Sequence, residues 1–350
     1  MKMKELMLAF VMFGGLVFGS CSTASAISGG GIDLSKPGNN YGIVNQIELQ
    51  SGQLFTGMLF VVDSSSTLDR DVASSGNFKS PFSTIDYAIG RASARTANAN
   101  PAANSGSLIL VLPGHAETIN EADEIDIDLA GLTIWGVGSG AARPTLTYTV
   151  AAGEVTIGAN SVTIGNMRFI SSVTDVLKAI NVEGSFTYPR IINCEFGVDS
   201  AGTDEFLETI YLDGTNTGAV IANNVIDMGL GGATSAIKID DECTRVTIRE
   251  NIIRGDYGTA NINGIRTASA NVLIEDNLLV NGVAGNVNAQ PTIELLTGTS
   301  GVIRNNSISS KTTAVASIAS DTTFWFENYF NSDVGGTVTG TVTGFVHDGL

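Results

Sequence analysis

The stretch Ile248-Arg249-Glu250-Asn251-Ile252-Ile253 decides how this chain folds. It reads as an aliphatic residue, two variable ones, a small polar one, one more, then an aliphatic or aromatic. The pattern returns at Ile221–Asn224–Ile226, Ile274–Asn277–Leu279, Ile303–Asn306–Ile308 and Trp325–Asn328–Phe330. Weaker copies precede these at Ile164–Met167–Phe169 and Ile191–Cys194–Phe196. From position 167 to 328 the central residue advances by 27, 30, 27, 26, 29 and 22. A period in the twenties marks stacked supersecondary units rather than one ordinary core. The runs are β-branched and punctuated by Gly, Asn and Asp, without helical spacing. Each unit is therefore one coil of a parallel β-solenoid.

A second column of strands runs upstream of the first, over 179–183, 209–213, 236–240, 264–267 and 292–295. Its central residues Ile180, Ile210, Ile237, Ile265 and Ile293 are 30, 27, 28 and 28 apart. Two columns that keep one period argue for stacking. An inward Asn at the same turn of successive coils can donate to and accept from its neighbours, which satisfies a buried amide. Asn224, Asn251, Asn277, Asn306 and Asn328 thus read as a structural ladder. Arg249, Glu275 and Arg304 take equivalent outward positions with alternating charge, a pairing of about 0.2–1 kcal/mol each.

Chemistry has more room on the upstream column. The residue after each central Ile points outward, giving the row Asn181, Tyr211, Lys238, Arg266 and Glu294. Three positions after come Glu183, Asp213 and Asp240, with Asp241 and Glu242 adjoining. Carboxylates on neighbouring coils repel, so that one keeps its proton or a cation such as Ca²⁺ sits between them. Glu183, Asp213 and Asp240 are the candidate metal ligands. Tyr211 offers a platform for stacking a sugar, and with Lys238, Arg266 and Glu183 it forms the candidate glycan-binding set. Paired carboxylates also act as acid and base in glycoside hydrolysis. That makes Asp213, Asp240, Lys238 and Arg266 the catalytic candidates. A solvated acidic turn on an acidic protein is the plainer reading of the same residues.

The chain has 350 residues, 43% hydrophobic and 15% charged, with 41 Gly and 7 Pro. It is too apolar for a disordered chain and suited to tight turns. The net charge of −17 repels phosphate backbones, which argues against nucleic-acid binding. A divalent cation, or a polysaccharide as partner, remains compatible. Residues 1–26 have the pattern of an export leader: Lys2 and Lys4, an apolar run from Leu6 to Phe18, then a cleavage site at Ala24-Ser25-Ala26. Lipidation of Cys21 is the alternative. Either route makes the protein secreted or surface-exposed. Without residues 1–26 the chain loses two Lys and one Glu, so its charge becomes −18. Cys194 and Cys243 lie at different points of the coil and read as buried small residues rather than a disulfide framework.

Residues 27–58, with the turn cluster Lys36-Pro37-Gly38-Asn39-Asn40, read as an arm or linker. Residues 59–106 hold a cap strand and a helix. The spacing predicts the helix to start with Ser80 as cap and Pro81 at its first position. Ile85, Ala88, Ile89 and Ala92 give it one apolar face that closes the open end of the solenoid. The coils fill 107–330, and 331–350 end the stack or pair with another chain. His115 reads as a turn residue packing the cap. No paired Cys or His metal spacing, nucleophile elbow or phosphate loop is present.

Three pieces carry a resemblance. They are Val62-Asp63 with Ser80-Pro81-Phe82-Ser83-Thr84-Ile85, Leu112-Pro113-Gly114-His115-Ala116-Glu117-Thr118, and the Val-x-Ile-x-x-Asn-x-Ile coils. Over roughly 59–330 the chain resembles right-handed parallel β-helix proteins of the pectin-lyase-like superfamily. The resemblance implies an all-β, single-stranded right-handed coil with a short N-terminal capping helix. The Pro-Gly-His-Ala-Glu-Thr run, with Gly136-Val137-Gly138-Ser139-Gly140 and Arg143-Pro144-Thr145, looks like β-helix proteins of tailed bacteriophages. That implies a virion-associated fibre or spike, and a homo-oligomer such as a trimer or larger assembly. The superfamily's enzymes match less well. Arg143-Pro144 lacks the second Arg of the pectate lyase stretch, and Asp240-Asp241 stands without the other polygalacturonase motifs. The expectation is a non-enzymatic structural or attachment protein on a virion or cell surface. The alternative is a polysaccharide lyase or glycoside hydrolase.

Overall fold

The computed structural model describes residues 32–33, 42–52, 54–68, 70–98, 106–199, 204–229, 232–240, 242–258, 260–263, 270–282, 292–296, 299–310, 314–318, 322–332 and 337–339. The leader 1–26 and the last residues, 340–350, lie outside these. Among the described residues the strands form three sheets of 11, 9 and 9 strands. Apart from an N-terminal antiparallel pair, Ile32–Asp33 on Met58–Val62, every strand pairing is parallel. The chain visits sheet 1, sheet 2 and sheet 3 in turn and returns to sheet 1 one rung further on. It is a parallel β-solenoid, as a right-handed parallel β-helix requires.

One coil shows the logic. Thr163–Gly165 lies in sheet 1, Arg168–Ser171 in sheet 2, Val176–Glu183 in sheet 3, and Arg190–Ile192 is the next rung of sheet 1. The sequence pattern places two strands in a coil. The structure has three, because the Asn motif spans a corner: its aliphatic start lies in sheet 1 and its end in sheet 2. The residue just before the central one makes this bend in the left-handed region. Asn166, Asn193, Asn223, Glu250, Asp276, Asn305 and Glu327 have φ of 53–57°, a conformation that Asn and Asp tolerate best after Gly.

The inward residues stack in register. Ile164, Ile191, Ile221, Ile248, Ile274, Ile303 and Trp325 form one column in sheet 1. In sheet 2 Phe169 and Phe196 stack with ring centroids 4.8 Å apart and planes 11° apart, the spacing of neighbouring strands. The interior between these columns is nearly void-free. A cavity of about 10 Å³ lined by Ile85, Ile125, Met167 and Phe169 holds at most one water and offers it no polar partner.

Sheet 3 corrects one rung of the predicted column. Ile262, not Ile265, pairs with Ile237 on one side and Ile293 on the other. The strand is Ala260–Asn263, so the coil from Ile237 takes 25 residues and the next, to Ile293, takes 31, where the predicted column had 28 and 28. Arg266 lies outside the described residues, and the register position assigned to it belongs to Asn263.

The N-terminal end is closed by helix α2, Ile85–Asn98. Its predicted face holds, since Ile85, Ala88, Ile89 and Ala92 are all buried in the main core. Its start differs. Phe82 forms a parallel bridge to Val62, which leaves Thr84 to cap: its Oγ1 accepts the Tyr87 N–H at 3.3 Å. The Asp71 carboxylate in turn accepts from the Ser83 and Thr84 N–H groups. His115 is buried in the joint. Its Nδ1 accepts the Ser64 N–H at 3.0 Å and its Nε2 lies 3.0 Å from Glu117 Oε2, which also accepts the Ile85 N–H.

The segment read as an arm or linker contains helix α1, Gly42–Ser51. It packs Val44 and Ile47 on the outside of sheet 1 against Leu59, Val61, Leu108, Leu110 and Trp135. The first rungs of sheet 1 are thus apolar on both faces, which the continuous hydrophobic runs at 58–62 and 108–111 reflect. At the other end Thr337–Thr339 adds a parallel rung to Ala314–Ile318 in the same stack.

Candidate functional site

The corner after sheet 1 carries the ladder. Asn251 Oδ1 accepts from Asn224 N–H at 3.0 Å and Asn224 Nδ2 at 3.1 Å. Asn277, Asn306 and Asn328 repeat this for the coil before each. Every Nδ2 also donates to the carbonyl of an earlier sheet 1 strand, as Asn224 does to Ile191 at 2.9 Å. Cys194, which has no amide, ends the series by giving its backbone N–H to Asn224 Oδ1. Burial pushes its thiol up to about 12, so it is an inert packing residue. All five Asn side chains are consumed by structure.

The outer face of sheet 3 brings most of the other candidates together. One outward row runs Asp126, Thr156, Asn181, Tyr211, Lys238, with Asn263 next in backbone register. A second runs Lys178, Glu208, Ser235. Glu183 pairs in register with Asp213, and the Asp240 N–H continues the ladder onto the Leu212 carbonyl. Each carboxylate of this edge sits where the strand turns away. Gly184 and Gly214 follow at φ of 91° and 89°, and a Cβ on Gly214 would lie 2.7 Å from the Gly184 carbonyl.

Tyr211 is the hub, and it is not a free platform. It is 7% exposed, with the Lys178 ammonium 4.6 Å and the Lys238 ammonium 4.9 Å from its ring centroid. One cation comes from the coil before and one from the coil after, so the ring is covered where a sugar would stack. Its hydroxyl donates to Asp240 Oδ2 at 2.7 Å. Burial above all, then that bond and the nearby Asp213, Asp240 and Glu208 carboxylates, push the phenol well above its ordinary range. Lys238 donates to Glu208 Oε1 at 2.7 Å and lies 4.0 Å from Asp240 Oδ2. Lys178 reaches Glu154 at 3.8 Å. This is a plate of charges paired rung against rung.

Asp213, Asp240, Lys238 and Tyr211 are therefore neighbours as expected, and Glu183 joins them at the edge. Arg266 has no described place there. Among the described residues no three His, Cys, Asp or Glu side chains converge as a metal site requires. The partners Lys178 and Glu208 went unnoticed in the sequence. Both stand two residues before a central Ile, where strict alternation would turn them inward with that Ile, so period-two counting alone could not have found them.

A further carboxyl lies just before the strand Phe206–Asp213 of the same sheet. Glu205 is 3% exposed and its Oε2 has no hydrogen-bond partner among the described residues. Burial, then a hydrogen bond and repulsion from Asp175, push it up to about 7. Nothing in its local sequence marks it, because burial here comes from the neighbouring coil. Elsewhere on the outer surface Arg304 holds Glu275 at 2.6 and 2.8 Å, whereas Arg249 turns to its own neighbour Glu250 at 3.3 Å.

No family model matches the chain, and no curated protein sequence matches it. Among solved structures it is similar to DFA-IIIase from Arthrobacter chlorophenolicus A6 without its lid, at 12% identity over 83% of this chain and 92% of that one, with a TM-score of 0.46. It is also similar to pectate lyase Pel9A, at 12% identity over 85% of this chain and 76% of that one, with a TM-score of 0.41.

Proposed function

We propose that this protein is a non-enzymatic β-helix displayed on a virion or cell surface, where it attaches to a glycan. One observation carries the reading: of the candidate acids and bases of the sheet 3 face, Asp240 and Lys238 are already engaged by their neighbours. Asp240 holds the Tyr211 hydroxyl, Glu208 holds Lys238, and Lys178 and Lys238 cover the ring. A general base needs open approach to the proton it removes, and this plate offers rigidity instead. The likeness of the Pro-Gly-His-Ala-Glu-Thr run to phage β-helix proteins supports the surface role. Export through residues 1–26, with or without lipidation at Cys21, and assembly as a trimer or larger homo-oligomer belong to the same reading. Mass spectrometry of the natural N-terminus and light scattering of the full chain check those two parts.

Incubation with acidic and neutral polysaccharides tests the central part. The expected outcome is retention of protein on an immobilised polysaccharide with no shortening of the polymer. Chain shortening that disappears in an Asp213→Asn/Asp240→Asn double variant overturns it in favour of a lyase or hydrolase.

A further inference from the structure

Helix α1 does not seal completely against sheet 1. Between them lies a cavity of about 190 Å³, lined by Gln46 and Gln50 of the helix and by Trp135, Gly136, Gly138 and Asn166 of the coils, with two aliphatic side chains completing the wall. This is below the ~300–1,000 Å³ of drug-sized pockets and is the size of a single sugar ring.

We propose that this cavity binds one uncharged sugar ring; the inference deepens the attachment reading by naming a seat for the glycan, and it rests on that reading for the ligand's class. Three features carry it. The wall is neutral: on a chain of net charge −17, none of the lining residues is Asp, Glu, Lys or Arg. A charged ligand would lose its hydration with nothing to pair it, whereas the exposed Gln46 and Gln50 amides offer both donors and acceptors to hydroxyl groups.

The apolar wall is rigid. Trp135 is 4% exposed, and its ring lies flat on Gly165 of the next coil, where a Cβ would fall 2.2 Å from Cζ3 and 2.3 Å from Cε3. Only glycine leaves room for the indole there. Trp135 is therefore a fixed apolar wall of the cavity rather than an open stacking face, and beside polar groups such a wall suits a small ligand of mixed apolar and polar surface.

The polar wall is set in advance. Asn166 donates through Nδ2 to the carbonyls of Gly136 at 2.7 Å and Gly138 at 3.1 Å, and its Oδ1 accepts from Asn193 Nδ2 at 2.9 Å. A Cβ at Gly136 would stand 2.2 Å from the Asn166 carbonyl oxygen, so the backbone approaches this closely only with glycine. Gln46 and Gln50, four residues apart on one side of α1, are exposed and form the movable rim.

The test titrates the full-length protein with glucose, galactose and N-acetylglucosamine, and with galacturonate as the charged counterpart. It reads tryptophan fluorescence and saturation-transfer NMR. A saturable response to a neutral sugar is expected, absent with galacturonate and weakened about tenfold in a Gln46→Ala/Gln50→Ala variant of unchanged circular dichroism. No saturable response to any neutral sugar overturns the proposal. So does equal binding of galacturonate, or binding undiminished in the variant. Polysaccharide retention in a variant that behaves as wild type sinks the cavity and leaves the attachment reading standing. Monosaccharide binding without polysaccharide retention does the reverse.

Discussion

The corner ladder and the sheet 3 face are built from polar side chains on successive coils, yet they are held together in opposite ways. In the ladder one residue type repeats, and each Asn makes the same bonds to the coil before it. On sheet 3 the row reads Asp126, Thr156, Asn181, Tyr211, Lys238, and its bonds differ from rung to rung: Thr156 to Asp123, Tyr211 to Asp240, Lys238 to Glu208. Repetition lets buried amides satisfy one another completely. Variety lets half-buried charges pair locally and leaves each pair replaceable. A polar column that repeats is a scaffold, and one that varies is where specificity has space to arise.

The sharpest way to break this contrast is Asn251→Leu. It orphans the buried Asn224 N–H and removes one bond each from the Asn224 Nδ2 and the Ile221 carbonyl. The expected loss is about 3–5 kcal/mol in urea unfolding. Asn328→Ala, at the end of the series, should cost less than half of that.

Next comes pH. Glu205 is pushed up to about 7, above its unfolded value near 4.5, so the folded state binds the extra proton between the two. Stability from this group is therefore present at low pH and falls as pH rises from about 4.5 to 7, by on the order of 2–3 kcal/mol. Glu205→Gln should flatten that slope in thermal melts taken across the window. An unchanged slope would place the buried carboxyl elsewhere.

The sheet 3 plate should respond more weakly. Tyr211→Phe removes one hydrogen bond to Asp240 while keeping the ring under its two cations, an expected cost of about 1 kcal/mol. Smallest of all is Arg304→Gln, which opens a surface pair with Glu275 at a cost under about 1 kcal/mol. That small loss should shrink further in high salt, which equilibrium unfolding at two ionic strengths would show.

The tube and its Asn column were legible because inward positions repeat: Ile221, Ile248, Ile274 and Ile303 recur wherever a coil must present the same face. The corner was legible only in part. Its left-handed residue is Asn in some coils and Glu or Asp in others, and such a mixed column leaves no signature. Ile265 was mistaken for Ile262 because an even period was assumed through a coil that is shorter. Helix α1 was hidden by its Gly- and Asn-rich surroundings, and its partner surface, Leu59, Leu110 and Trp135, is assembled from three different rungs. Tyr211 was correctly set beside Asp240 and Lys238. That it is covered follows from side-chain reach across coils, which spacing alone does not contain.

The amide series also has a direction. In each step the carbonyl oxygen belongs to the later coil and both donors to the earlier one. A growing stack therefore always offers bare N–H groups at its leading edge, and each arriving coil quenches them while exposing its own. The tube is a one-way zipper: a break made C-terminal to any Asn leaves its backbone N–H unsatisfied while its Nδ2 keeps the carbonyl of the earlier coil, and the severed end is the one that would seek a substitute acceptor.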